Sequence, residues 1–281
     1  MPSHPMRHLA IIFGLLFFLL PLAHAQEQDR LGLSLEGDLQ RFDYREYSDQ
    51  GNLLDRENGF LPGLLLGMDR SQGPWQIAGQ LSYHAGGVTY TGQTNGGEPI
   101  STTTRQQIID AELRAGYQFR QMQQIRPTLY FGAANHSWRR NIQPTYTAFG
   151  MPVRGLLETY RWWQAFLGAK ISIQKTSAFD WALDTRLTRI IAPKIEVDYF
   201  GLYDKAQLDL GERWGVRLAF PMSYSMRHSI TLALEPYLEK YALGRSPSAP
   251  LTKQGIIQGT VFEPRSTGSN YGVLLGIHKF Y

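Results

Sequence analysis

Between residues 109 and 119 the side chains of Ile109, Ala111, Leu113, Ala115, Tyr117 and Phe119 alternate with Asp110, Glu112, Arg114, Gly116 and Gln118. The same beat recurs at Trp163, Ala165, Leu167, Ala169, Ile171 and Ile173, at Phe179 to Leu187, and at Ile230 to Leu238. A period of two is the signature of an extended strand. These runs last about ten residues or more, beyond the five or six usual in soluble sheets. One face of each is apolar, and the other carries full charges. The core of a soluble sandwich would not tolerate unpaired charge. A transmembrane barrel requires this arrangement, with lipid outside and polar groups within.

Composition narrows the choice further. After the first 25 residues no apolar run approaches the roughly 18 needed for a spanning helix, so a helical membrane protein is excluded. The start of the chain reads as a removable export signal: Arg7 precedes the apolar core Leu9 to Leu20, and Ala23-His24-Ala25 fits a cleavage site before Gln26. The expected domains are therefore a signal peptide over 1–25 and a barrel over 26–281. A net charge of +4, with acids and bases interleaved, lacks the basic stripe of a nucleic-acid binder, so no such partner is expected. The absence of cysteine rules out disulfides, thiol catalysis, thiolate metal sites and a lipid-modified cysteine.

At the other end Tyr271, Val273, Leu275 and Ile277 alternate up to the terminal Phe280-Tyr281. This resembles the last strand of bacterial outer-membrane β-barrels, whose final aromatic residue belongs to the signal read by the insertion machinery. The resemblance implies residence in the outer membrane of a Gram-negative bacterium. It also implies outer-membrane lipid and lipopolysaccharide as surroundings, and periplasmic chaperones and barrel-insertion machinery as partners in biogenesis.

Pairing the runs with turn signals predicts strands over 31–45, 59–69, 75–90, 102–119, 125–140, 157–173, 178–190, 203–225, 228–243 and 265–281. Longer polar loops are expected at 46–58, 91–101, 141–156 and 244–264. The stretch 203–225 decides the count. Its apolar residues keep one parity, which a two-residue hairpin would invert, so it reads as one strand and the barrel has ten. A three-residue turn there would also keep the phase and, with one further pair near 256–265, would give twelve. The fold class is thus all-β: a single antiparallel transmembrane barrel. At about 2.5 Å of climb per residue, about ten residues cross the apolar band of about 25 Å, and the excess should project beyond it. A ten-strand barrel lined by charge is expected to be plugged rather than open.

Three inward positions carry candidate chemistry. His84, Asp110 and His136 fall at similar heights on successive strands. A carboxylate orienting an imidazole suits a general base, and two histidines with one carboxylate suit a metal. A plain polar network filling the lumen, with Glu112 and Arg114 as partners, is the alternative. On the outer face Arg139 and Arg161, with Trp138 and Trp163, are placed to meet lipopolysaccharide phosphates at an aromatic girdle. Asp43, Glu46, Asp49, Asp55 and Glu57 make the first outer loop acidic, without the spacing of a calcium loop. No metal or cofactor is assigned.

The barrel is similar in size and outline to the omptin proteases. No Asp-x-His occurs, however, and no omptin residue pairing transfers. A His-Ser pair as in outer-membrane lipid A hydrolases is also missing. The expected function is a non-catalytic structural, surface-interaction or narrow-transport barrel. An enzyme using the histidine cluster and a small-solute porin are the competing classes.

Overall fold

The computed structural model describes residues 29–94, 96–119, 125–174, 176 and 178–281. The expected signal peptide and the turn at 120–124 lie outside the described residues.

Five long strands form a meander: β1 (Arg30–Tyr47), β2 (Leu53–Gln72), β3 (Trp75–Gln93), β4 (Pro99–Gln118) and β5 (Ile125–Ile142). A small hairpin of β6 (Thr145–Tyr146) and β7 (Pro152–Val153) leads to β8 (Leu156–Gln174) and β9 (Phe179–Asp198). The next stave is one extended segment in three pieces, β10 (Ala206–Asp209), β11 (Trp214–Ala219) and β12 (Met222–Ser225), all antiparallel to β9. β13 (Ile230–Leu243) follows, then a second hairpin of β14 (Ala249–Lys253) and β15 (Ile256–Val261), and finally β16 (Arg265–Phe280). β16 pairs with β1 along its whole length, and the Tyr281 amide donates to the Leu31 carbonyl at 2.8 Å. The sheet closes as a ten-strand antiparallel barrel.

The parity argument at 203–225 therefore holds, and the interruptions in that stave have local causes. At 210–213 the Gly211 and Gly244 amides exchange hydrogen bonds of 3.1 and 2.7 Å just past the end of β13, while Leu210 and Arg213 stay bonded to β9 at Pro193 and Ile190. On the facing strand Ala192 has φ 48° just before Pro193, a bulge where the ladder skips. Further down, Pro221 has no amide to donate, and β11 gives way to β12.

The expected long loops are shorter than the sequence pattern suggested, because the strands climb further. β1 and β2 are separated only by a turn at 48–52, and Glu46, Asp55 and Glu57 point into the barrel instead of lining an acidic loop. The segments at 141–156 and 244–264 fold back as the two small hairpins.

The outer wall divides into two zones. Leu35, Leu39, Leu64, Leu66, Leu129, Phe131, Leu167, Leu187 and Leu275 are all exposed and form an apolar belt. Trp75, Tyr117 and Tyr281 stand at its lower edge, and Trp163, Trp214 and Tyr271 at its upper edge. A belt this continuous marks a lipid-facing surface. Above it the outward positions turn polar, with Arg45, Arg56, Arg105, Arg139 and Thr159, so the upper part of the barrel stands clear of the apolar zone.

Candidate functional site

The antiparallel register sets Ser82, Asp110, His136 and Trp162 side by side across β3, β4, β5 and β8. His136 Nδ1 lies 2.5 Å from Asp110 Oδ1, and the Ser82 hydroxyl donates to Asp110 Oδ2 at 3.4 Å. The imidazole stacks on Trp162 at 3.9 Å between ring centroids. His84 belongs to the same level, yet it turns to β1: its Nε2 is 2.8 Å from Asp38 Oδ2, which also accepts from the Tyr237 hydroxyl at 2.7 Å. Gly63 makes room for this ring, since a Cβ there would fall 2.2 Å from His84 Cδ2.

The expected trio is thus present as two imidazole–carboxylate pairs, with Asp38 as the residue the sequence reasoning missed. Asp38 shares inward parity with Gln40, so its direction was legible, although its partner across the barrel was not. Among the described residues no group of three or more His, Asp or Glu is arranged to hold a metal, because His84 commits to Asp38 rather than Asp110. Ser82 donates to the carboxylate and not to an imidazole, so it is not activated by either histidine. Among the described residues His84 Nδ1 and His136 Nε2 are buried without a hydrogen-bond partner.

Below these pairs lies a layer of ion pairs: Arg186 with Glu112 (2.6 Å) and Glu239 (3.3 Å), and Arg217 with Glu235 (2.6 Å). Glu112 thus finds Arg186 as its partner, while Arg114 lies 5.7 Å over the Tyr130 ring. Above them lies an apolar layer of Phe42, Leu61, Ile108, Trp138, Tyr160 and Ile190. Its centre is Trp138, fully buried, with Tyr160 stacked at 4.7 Å and Tyr44 edge-on at 4.9 Å. The indole N–H donates to Gln106 Oε1 at 2.6 Å. This layer separates the histidine pairs from the upper mouth.

Trp138 therefore corrects one expectation. It shares the inward parity of His136 and Arg140 and packs inside the barrel, so it cannot touch outer lipid. Among its neighbours Arg139 and Arg161 are exposed on the outer wall, and Trp163 is half exposed at the upper edge of the belt. Lys194, opposite Arg161 on β9, adds a cation to this face.

Over the apolar layer, above the belt, sits a buried acidic cap that the sequence did not announce. Arg140, 1% exposed, holds Glu46 at 2.9 Å, Glu57 at 3.1 Å and Glu158 at 2.8 Å. Thr104 and Gln106 donate to Glu57, Tyr160 donates to Glu263 at 2.6 Å, and Tyr90 donates to Asp55 at 3.4 Å. One guanidinium thus faces five buried carboxyl groups. Burial, reinforced by Glu46, pushes Asp55 up to about 10. Burial also raises Glu158 to about 7 against the pull of Arg140. Glu263 is raised by burial and by Glu46 and Glu158. The cap holds protons at neutral pH because one cation cannot neutralise five acids in a dry site.

No protein family matches the sequence, and no curated protein does. Solved structures do match. The outer membrane protease OmpT from Escherichia coli is 10% identical, with 93% of this chain and 99% of that chain covered and a TM-score of 0.63. The translocator domain of the autotransporter NalP from Neisseria meningitidis is also 10% identical, covering 98% of this chain and 95% of that one at a TM-score of 0.44. At such identity the likeness to OmpT is one of fold: a closed antiparallel barrel of outer-membrane type with an omptin-like outline.

Proposed function

We propose that this protein is a sealed, non-catalytic barrel of the outer membrane, exported by its 1–25 signal and inserted through its Phe280-Tyr281 terminus. It serves as a rigid mount for surface contacts. The observation that carries this reading is the apolar layer around Trp138, which fills the lumen between the histidine pairs and the upper mouth. A porin needs a continuous polar path, and a hydrolase at His84 or His136 needs a route for its substrate. Neither has one through this layer. The small hairpins support a contact role: Tyr146, Phe149 and Met151 on one, and Ile256 and Ile257 on the other, are exposed above the lipid-facing belt. Outward Arg139 and Arg161, with Trp163, suit the phosphates and upper acyl region of lipopolysaccharide.

The competing reading is a hydrolase, favoured by the two unpartnered imidazole nitrogens. Planar bilayers containing lipopolysaccharide and the refolded protein discriminate among the classes. The proposal predicts no conductance steps from inserted barrels, and identical surface-binding behaviour for His84→Ala and His136→Ala. Stable steps would make transport the function, and a hydrolytic activity abolished by either substitution would make the protein an enzyme.

A further inference from the structure

The barrel wall is not evenly convex. On the face formed by β9, β11, β13, β16 and β1 it carries a furrow of about 680 Å³, and a second hollow of about 280 Å³ adjoins it on β5, β8, β9 and β11. Leu187 and Val216 line both. The two hollows follow one registered row of outward side chains: Leu167 opposite Leu187, Leu187 opposite Val216, Val216 opposite Lys240, Lys240 opposite Ser269, and Ser269 opposite Asp43. Because strands in such a barrel tilt, a row perpendicular to them climbs as it crosses the wall. This row starts in the apolar belt and ends above it. Its depth comes from small outward residues, Ala242, Thr267 and Ser269, between the larger Trp214 and Tyr271.

The charge on the furrow changes along the same climb. Its lower part is mainly hydrocarbon, from Leu129, Leu167, Leu187 and Val216, with Thr185 among them. At its upper part stand Lys240, Arg45, Asp43 and, beside Tyr271 at the rim, Arg41. Asp43 is held by both Arg45 and Arg56, so one carboxylate is shared between two guanidinium groups. Lys240 and Arg41 have no acidic partner among the described residues. The site is therefore an apolar trough that ends in excess positive charge at the upper edge of the lipid-facing belt.

We propose that this furrow binds one phosphorylated, acylated glycolipid of the outer leaflet, lipid A in chemical terms. An acyl chain would lie along Leu167, Leu187 and Val216, and a phosphate would meet Lys240 and the neighbouring arginines. The match is one of complementarity: two chemically different ends of one ligand meet two different ends of one hollow. The site lies apart from Arg139 and Arg161, which sit on the β5–β8 face. The proposal rests on the reading that the belt spans the outer membrane with its upper edge at the outer-leaflet phosphates.

The test is native mass spectrometry of the full mature protein refolded with lipid A, with phosphatidylethanolamine and dephosphorylated lipid A as comparison probes. The wild type should retain one lipid A per barrel and little of either comparison lipid. Ala242→Trp, which fills the floor of the furrow, and Lys240→Glu, which reverses its unpaired charge, should each lower retention about tenfold or more. Lys253→Ala, on the small β14–β15 hairpin and away from the furrow, should leave it unchanged. Lys240→Glu, a surface change, keeps the test decisive should Ala242→Trp fail to fold. Retention unaffected by Lys240→Glu and by any folded Ala242→Trp barrel would overturn the proposal, as would equal retention of the dephosphorylated lipid. Loss in the double variant Arg139→Ala/Arg161→Ala with full retention in Lys240→Glu would place the lipid on the other face, sinking the furrow while sparing the membrane reading. Absence of lipid A from the wild type would sink both.

Discussion

Arg140 concentrates the electrostatic problem of this barrel in one side chain. It is the cation for Glu46, Glu57 and Glu158, and Glu57 is completely buried. Removing the cation of a buried network leaves its anions uncompensated, so Arg140→Met should cost about 3–5 kcal/mol in urea unfolding of the refolded barrel. The cap also makes stability depend on pH. Asp55 and Glu158 have raised folded-state values, so across the range from ordinary carboxylate titration to about 7 for Glu158 and about 10 for Asp55 the folded cap holds protons that the unfolded chain has shed. Stability then falls as pH rises through that window. Hydrogen exchange of cap amides, corrected for intrinsic rates, should show easier opening at pH 9 than at pH 6. Asp55→Asn should flatten the upper part of that slope; an unchanged slope would assign it elsewhere. Little of this was legible in the sequence. An arginine near a strand end reads as solvated, and its acids come from β1, β2, β8 and the segment before β16, which only barrel closure brings together. The direction of Trp138 was legible from parity, while its local company of Arg139 and Arg140 suggested a girdle.

Strand elements were easier to read than their ends. Long alternation specified ten staves, since a one-residue slip would turn every apolar side chain inward. Constant parity across 206–225 identified a single stave even though the backbone breaks it twice. The break at 210–213 was not visible, because it goes with a contact between Gly211 and Gly244 far apart in sequence, whereas the second falls at Pro221. A Cβ on Gly244 would lie 2.7 Å from the Gly211 Cα, so the close approach needs glycine. Gly244→Val should therefore destabilise by about 1–3 kcal/mol through overpacking. Gly259→Val, with nothing within 4 Å of its Cβ, should stay within about 0.5 kcal/mol of wild type. Urea midpoints of the two variants check this; equal effects would mean that the glycine contact carries no structural weight. The two small hairpins escaped the sequence reading because their strands are short and their Ser, Pro and Gly content resembles a plain loop.

At the scale of the whole molecule, the lumen is a stack of layers: ion pairs, imidazole–carboxylate pairs, an aromatic and aliphatic layer, and the acidic cap. The order of layers follows from which inward residues share a height, and that requires the register of every strand pair. Alternation alone established that the interior was polar below. It did not reveal that Phe42, Leu61, Ile108 and Ile190 meet across the barrel to interrupt the polar path. Lipid outside and closure inside are what the proposed role as a surface mount requires. The most direct test exploits the absence of native cysteine. Ser82→Cys places one thiol beside Asp110, beneath the apolar layer, and intact cells displaying the barrel can be treated with a membrane-impermeant maleimide from outside. With the lumen sealed this thiol stays unlabelled, and adding Trp138→Ala exposes it. Rapid labelling of Ser82→Cys with Trp138 in place would show an open path through the lumen and refute a sealed barrel.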